Sequence, residues 1–277
     1  MQKQFALALA GAVFVSNSVS AQFADAVVSY NPGVIANPDF ALHPGVVLGA
    51  PSQINPFADL VEPFNPPYGS NQILSVGAGG SLTVQFNQPI LNDPGHPFGM
   101  DFNIFGNTGF IITNELNLET FEWVGTPATD GSLFGANSGV SRVWVSADGV
   151  NFYTLNPALA PLVDGLFPTD GAGNFSLPVN PGWNLAGFSG LDLAAIRARY
   201  QGSGGGTGFD IAWAQDGNGA SVALGSISFV RVDVVSGKSD IDAFATVPEP
   251  AAGSLVMLGG TIVFVARGRL LARGSRV

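Results

Sequence analysis

The chain has 277 residues, of which 46% are hydrophobic and 11% are charged, with 37 glycines and 19 prolines. A chain of this length and hydrophobicity can bury a full core, which excludes a disordered protein. Sparse charge with abundant Gly and Pro favours short strands joined by tight turns over long surface helices. The composition therefore predicts an all-β protein.

Acidic residues dominate the middle of the chain. Residues 22–250 contain five Lys and Arg against all 20 Asp and Glu, a net charge of −15. Such a surface repels nucleic acid and anionic membranes and suits bound cations, so no nucleic-acid partner is expected. The absence of cysteine excludes thiol catalysis, cysteine-ligated zinc and iron–sulfur clusters.

The N-terminus has the pattern of a signal peptide. Lys3 precedes an apolar run at residues 5–15, and small residues follow up to Ala21. This order predicts a signal peptide over residues 1–21, cleaved between Ala21 and Gln22. The alternative is an uncleaved anchor, although the apolar run is shorter than the roughly 20 residues that span a bilayer.

The body of the chain is predicted to be one domain over residues 22–246, with its core at about 69–245. Residues 22–69 are rich in Pro, Asn and Ala and contain two strand patterns, at 26–30 and 46–49. One short helix is predicted at 191–199. Further strands follow from alternation and turn spacing, at residues 73–76, 81–86, 100–105, 110–113, 120–124, 141–146, 152–155, 209–214, 226–235 and 241–244.

The clearest local signal is a hairpin at residues 142–155. Asp148-Gly149 separates two runs of alternating residues, and Asp-Gly tolerates the left-handed backbone of tight turns. The pattern Val-Ser-x-Asp-Gly-x-x-Phe resembles the hairpin of discoidin-like and other galactose-binding-like jelly rolls. The resemblance implies a fold and not a ligand.

Three longer segments, at residues 77–90, 101–107 and 232–244, resemble a recurring β-sandwich domain of bacterial surface proteins. The resemblance covers roughly residues 69–245. The fold expected is thus all-β, a jelly-roll or galactose-binding-like β-sandwich. Members of this family are mostly of unassigned function, so the resemblance implies location and architecture more than activity.

Four polar residues are candidate calcium ligands: Asp101, Asn107, Asp240 and Asp242. Asp240 and Asp242 are two apart in a predicted strand and would share one side of it, where Asp101 and Asn107 would converge on them. Calcium binds such sets of carboxylate and carbonyl oxygens. The alternative is that these residues cap turns and accept hydrogen bonds from backbone amides.

Trp183 and Trp213, with Phe188, are candidate carbohydrate-binding residues. All three lie near Gly- and Asn-rich loops, where a flat aromatic ring would be available for stacking against a sugar ring. The alternative is that these aromatic residues belong to the core, as most large aromatic residues do.

A glycosidase reading would use Glu115, Glu119 and Glu122, because glycoside hydrolysis needs two carboxylates at a defined separation. Glu122, however, lies between Phe121 and Trp123 in an alternating stretch and most simply faces solvent. A secreted hydrolase is therefore only the third hypothesis.

The C-terminus combines three ordered features over residues 247–277. Val247-Pro248-Glu249-Pro250 is followed by an uncharged apolar stretch at 251–266, predicted to be a single hydrophobic helix that spans the membrane. A basic cluster then follows, and its residues Arg267, Arg269 and Arg273 would stop transfer and stay in the cytoplasm.

This order closely resembles the PEP-CTERM sorting signal of Gram-negative bacteria. The resemblance implies an exosortase-type membrane protease as partner, processing at Pro248, Glu249 and Pro250, and transient residence in the inner membrane. The alternative is a plain C-terminal membrane anchor.

The functional expectation is an exported, non-catalytic protein of the cell surface or extracellular matrix. The family context adds exopolysaccharide as an expected partner. The alternative is a carbohydrate-binding module, with calcium as its one candidate cofactor.

Overall fold

A computed structural model describes residues 22–34, 36–40, 43–135, 139–163 and 166–248. The described chain is mostly β, which confirms the all-β prediction. The described residues contain one α-helix, α1 (Leu193–Tyr200), and fourteen strands. In chain order the strands are β1 Ala26–Asn31, β2 Leu74–Gly77, β3 Ser81–Leu91, β4 Phe102–Gly106, β5 Gly109–Ile112, β6 Leu116–Asn117, β7 Glu122–Trp123, β8 Thr129–Phe134, β9 Val140–Ser146, β10 Tyr153–Leu155, β11 Thr207–Phe209, β12 Ala214–Gln215, β13 Ser226–Ser236 and β14 Lys238–Thr246.

The strands form two main antiparallel sheets. A six-stranded sheet has the order β1-β3-β13-β9-β10-β12, and a four-stranded sheet has the order β11-β4-β14-β2. Two further pairs, β5-β8 and β6-β7, stand apart from them.

Both main sheets contribute side chains to one hydrophobic cluster. In β13, Val230, Val232 and Val234 are buried, while the intervening Arg231 and Asp233 are partly exposed. This period of two is what a strand with one covered face requires. The four-stranded sheet contributes Phe102 and Phe209 to this cluster, and their rings stack with centroids 5.4 Å apart.

Strand β14 is buried along almost its whole length, and β4 and β2 pair with it on either side. The first residues of the described body, Gln22 and Phe23, pair with the C-terminal end of β14. The Gln22 amide donates to Thr246 Oγ1 at 3.0 Å, the Thr246 amide donates to the Gln22 carbonyl at 2.8 Å, and Phe23 forms a bridge with Ala245. The two ends of the body are thus joined by hydrogen bonds.

The strand predicted at 46–49 is wrong. Pro44–Val47 forms a 3₁₀ turn, because Pro44 fixes a helical φ and has no amide hydrogen for a sheet ladder. Val47 is nevertheless fully buried in the main cluster, together with Ala24. The core therefore extends to residues before the predicted boundary at about 69.

The single strand predicted at 209–214 is divided in the structure. Its first residue, Phe209, is the last residue of β11 in the four-stranded sheet. Its last residue, Ala214, is the first residue of β12 in the six-stranded sheet. Between them, Ile211–Trp213 forms a 3₁₀ turn whose Ala212 amide donates to the Asp210 carboxylate at 2.7 Å. A capping carboxylate offers this backbone an alternative to strand pairing.

Candidate functional site

A cavity of about 570 Å³ opens beside the N-terminal end of α1. Its volume lies within the range of small-molecule sites, roughly 300–1,000 Å³. Apolar and aromatic side chains supply most of its wall, and three charged groups interrupt them. The lining residues are Glu62, Phe64, Ile112, Trp123, Thr126, Pro127, Asp192, Leu193, Ala194 and Arg197.

Helix α1 supplies one wall of this cavity. Asp192 caps the helix by accepting the Ala195 amide at 2.8 Å, which satisfies a backbone donor that the first turn leaves unpaired. Leu193 and Arg197, one turn apart, then lie on the same side of the helix and both line the cavity. The predicted helix at 191–199 is confirmed within two residues.

The adjacent face of α1 packs against an aromatic cluster. Ile196 and Tyr200 are buried there, and Phe188 stacks on Phe110 with ring centroids 5.1 Å apart. The Tyr200 hydroxyl donates to the Pro168 carbonyl at 2.9 Å. This packing gives the cavity wall a rigid support, since aromatic rings in contact restrict each other's orientation.

Asn114 shapes the second wall. Its side-chain amide donates to the Val124 and Thr126 carbonyls at 3.0 and 3.1 Å, and its side-chain oxygen accepts the Ala128 amide at 2.7 Å. One side chain thus closes the loop that follows β7. Trp123 precedes that loop and pairs with Leu116 across the β6–β7 hairpin.

The charged groups of the cavity are held by a second network. Arg197 donates through Nε and Nη2 to both oxygens of Asp170, at 2.7 and 2.9 Å. This bidentate pair fixes the guanidinium plane. Glu62 Oε2 lies 3.8 Å from Arg197 Nη2, beyond hydrogen-bond distance.

The Glu62 carboxylate is bound less closely by Arg197 than the Asp170 carboxylate is. Burial raises the pKa of Glu62, and the nearby Arg197 charge opposes that rise. Hydrogen bonding to Asp170 raises the pKa of Arg197, so this side chain stays cationic. The cavity consequently presents a partly desolvated carboxylate beside a fixed cation.

The structure does not bring the four candidate calcium ligands together. Asp101 precedes β4 and Asn107 follows it, so the five residues of β4 lie between them and the six residue steps of extended chain separate their Cα atoms by about 20 Å. Asp240 and Asp242 lie in β14, where Ile241 pairs with Gly106 beside Asn107. Asp101 is therefore at the other end of the sheet from Asp240.

Each of the three aspartates has a partner within the protein. Asp101 accepts from the Ile211 amide at 2.8 Å and contacts His96 Nδ1 at 2.8 Å, and both side chains are buried. Lys238 Nζ donates to Asp240 at 2.5 Å. Asp242 accepts from the amide and the hydroxyl of Ser52, each at 2.8 Å.

Burial is the largest influence on the pKa of two of these aspartates. It raises the pKa of Asp101, against donation by Ile211 and His96. It raises the pKa of Asp242 to about 7, against the two hydrogen bonds from Ser52. His96 lies in the loop before β4 and is buried beside Asp101.

Within the described ranges, no group of three or more His, Cys, Asp and Glu side chains is arranged to hold a metal ion. The hydrogen bonds above correspond to the turn-capping alternative for Asp101 and Asp242.

The two predicted carbohydrate-binding tryptophans lie outside the cavity. Trp213 is half-buried and packs against the main core cluster. Trp183 is 37% exposed, but the Arg199 guanidinium carbon lies 4.3 Å from its ring centroid and covers one face. Neither tryptophan lines the cavity, and the expected exposure of Phe188 is wrong, because its side chain is fully buried in the aromatic cluster beside α1.

Sequence reasoning missed the cavity residues Glu62, Trp123 and Arg197. Trp123 lies in an alternating stretch beside Glu122, a pattern that does not indicate a cavity. Glu62 lies far from Arg197 along the chain. One signal in the sequence that could have pointed to the cavity is the charged Arg197 within the predicted helix at 191–199. Glu115, Glu119 and Glu122 are all exposed, which confirms the prediction that Glu122 faces solvent.

The predicted sorting and cleavage residues fall partly within the structure. Gln22, Val247 and Pro248 are described, and the Val247 amide donates to the Asp101 carbonyl at 2.8 Å. The remaining ones lie outside the described residues, as do the signal peptide and the predicted span at 251–266: Ala21, Glu249, Pro250, Arg267, Arg269 and Arg273. In the part that is described, no helix is long and apolar enough to cross a bilayer.

No protein-family model matches the chain, and a search of curated proteins found no match either. The cavity and the joined ends of the body are the features from which a function can be proposed.

Proposed function

We propose that this chain is the precursor of an exported, non-catalytic protein of the cell surface or extracellular matrix. A signal peptide at residues 1–21 directs it through the inner membrane. The apolar stretch at 251–266 and the cluster of Arg267, Arg269 and Arg273 then hold it there with its body outside. An exosortase-type protease acts at Val247-Pro248-Glu249-Pro250, and exopolysaccharide is the matrix partner that such a location offers.

The pairing of Gln22 with Thr246 is the observation that carries this proposal. Gln22 directly follows the predicted signal cleavage site, and Thr246 directly precedes the sorting motif. Their two mutual hydrogen bonds belong to the body itself. Cleavage before Gln22 and within or after the motif would therefore leave the ends of the mature body joined to each other.

We further infer that the two main sheets form a β-sandwich of jelly-roll or galactose-binding-like type. Their shared hydrophobic cluster supports this architecture, because two sheets bury their apolar faces against each other in a sandwich. The Asp148-Gly149 turn between β9 and β10 adds support. Asp148 accepts the Val150 and Asn151 amides at 2.9 and 2.8 Å, and these bonds lower the pKa of Asp148.

Mass spectrometry of the mature protein from its producing bacterium tests the processing. The expected mature chain begins at Gln22 and lacks the arginine-rich tail. An intact C-terminus would refute the sorting proposal, whatever happens at the N-terminus.

A variant pair tests the motif itself. Glu249→Ala is expected to leave the tail uncleaved and the protein in the membrane fraction. Glu119→Ala removes an exposed carboxylate elsewhere and is the matched control, with processing unchanged. Normal processing of the Glu249→Ala variant would contradict the assigned role of the motif.

A further inference from the structure

We propose that the cavity lined by Trp123, Glu62 and Arg197 binds an uncharged hexose residue of a glycan chain. This proposal goes beyond the export proposal and does not depend on it, because all of its residues belong to the described body.

The first argument is the composition of the wall. Trp123 is 38% exposed although it lines a cavity whose other residues are mostly apolar, including Phe64, Ile112 and Leu193. A hexopyranose has one apolar face of C–H groups, which suits an indole surface. An exposed aromatic ring with a polar edge is a common recognition element in such sites.

The second argument is the pattern of polar groups at the same wall. Carboxylates accept hydrogen bonds but donate none, and sugar hydroxyls supply the donors. Glu62 Oε2 lies 3.8 Å from Arg197 Nη2, beyond hydrogen-bond distance. Its other charged neighbours, Asp170 and Asp59, are carboxylates that cannot donate to it, so its oxygens have capacity for such donors. Asp192 uses Oδ1 for the helix cap and retains its second oxygen. Arg197 retains N–H groups besides the two that bind Asp170.

The third argument concerns charge. Asp170 already pairs with Arg197, so Glu62 and Asp192 give the cavity an excess of negative charge. An anionic sugar would meet like charge in a partly desolvated site, where repulsion is stronger than in water. The cavity therefore favours neutral hexoses over uronic acids.

The fixed position of the polar groups supports the same ligand. Asn114 fixes the loop after Trp123, and the bidentate contact with Asp170 fixes Arg197. A site held in place by such contacts loses little conformational entropy when a ligand binds.

The experiment measures binding of defined tetrasaccharides to the purified full-length protein in a zwitterionic detergent without sugar groups. The probes are neutral tetramers of glucose, galactose and mannose, and anionic tetramers of galacturonate and mannuronate. Calorimetry gives the dissociation constants, and indole fluorescence reports contact with a tryptophan. At least one neutral tetramer is expected to bind, and the uronate tetramers are expected to bind more weakly.

Three tryptophan variants locate the site. Trp123→Ala is expected to weaken binding of the neutral tetramer by about tenfold or more, as loss of a central aromatic contact does. Trp123→Phe retains a ring and should weaken it less. Trp183→Ala is the matched control, because Trp183 lies outside the cavity and is 37% exposed, against 38% for Trp123. It should leave the dissociation constant within about twofold of the wild-type value.

A charge variant tests the selectivity. Glu62→Gln removes a negative charge and keeps the side-chain shape, so the preference for neutral over uronate tetramers should shrink. The thermal midpoint of each variant verifies that it is folded.

Either of two results would overturn the proposal. One is that no neutral tetramer binds, and the other is that Trp183→Ala weakens binding as much as Trp123→Ala does. Neither result bears on export, because processing is read separately from the mass of the mature chain.

Discussion

The centre of the four-stranded sheet and the cavity beside α1 both contain carboxylates among apolar side chains. The carboxylates of the two regions differ in their hydrogen bonding. In the sheet, Asp242 is buried and receives two hydrogen bonds from Ser52. In the cavity, Glu62 faces open space, with Arg197 beyond hydrogen-bond distance. The first arrangement holds two segments together, whereas the second leaves acceptors for a ligand.

The comparison implies that substitutions in the sheet act on stability and that substitutions in the cavity act on binding. Four variants test this division, in order of decreasing expected effect on the free energy of unfolding.

Phe244→Ala should have the largest effect. Phe244 is fully buried in β14, and truncating a buried Phe costs about 3–5 kcal/mol through lost burial and the cavity left behind. Denaturant unfolding followed by tryptophan fluorescence measures it. Phe121→Ala is the matched control, because Phe121 is 77% exposed at the β6–β7 hairpin and should change stability little. Equal losses for the two variants would contradict the assignment of β14 to the core.

Asp242→Asn should change the pH dependence of stability. The folded-state pKa of Asp242, about 7, exceeds the ordinary carboxyl value of 3.8. The folded state therefore holds this proton more tightly, and the associated stabilisation is full below about pH 4 and is lost as pH rises through 7.

Over that window the wild-type protein should lose on the order of 3–4 kcal/mol through this group. Asp242→Asn should remove most of this loss, since its amide does not ionise. Unfolding free energies measured from pH 4 to pH 8 give the two slopes. Glu119→Gln, at an exposed site, should retain the wild-type slope, and an unchanged slope in Asp242→Asn would contradict the assignment.

Asp192→Ala should have a moderate effect on stability. It removes the cap of α1 and should cost about 1 kcal/mol. Asp192→Ser retains a capping oxygen and should recover most of this loss, but it lacks the carboxylate that faces the cavity. Unfolding and neutral-tetramer binding measured on both variants therefore separate the two roles of this residue. Equal stability of the Ala and Ser variants would indicate that the cap contributes little.

Trp123→Ala should have the smallest effect on stability and the largest on binding. Trp123 lies on a two-stranded hairpin outside the main sheets, so its loss should change the unfolding free energy by about 0.5 kcal/mol or less. A loss comparable with that of Phe244→Ala would show that Trp123 is a core residue, and it would remove the contrast between the two regions.

Local signals in the sequence predicted much of the secondary structure. The alternation in β13 and the Asp148-Gly149 turn are properties of neighbouring residues, and the structure has both where they were expected. The prediction at 46–49 was wrong because a run of Val and Leu fits a strand and a buried turn equally well. Only the adjacent Pro44 distinguishes them.

The candidate sites were harder to predict because they depend on distant contacts. Asp101 and Asn107 are close in sequence, yet an extended strand holds them at opposite ends of a sheet. Glu62 and Arg197 are far apart in sequence, yet they line one cavity. Residue type and spacing indicate what chemistry a side chain can do, but they do not fix which side chains meet.

The sequence by itself determined the all-β class, the acidity of the body and the order of motifs at the two ends of the chain, because composition and contiguous patterns are independent of folding. Only the tertiary structure joined Gln22 to Thr246, buried Asp242 against Ser52 and placed Trp123 and Glu62 in the wall of one cavity. Those contacts arise because sheet pairing and core packing bring together segments that are remote along the chain.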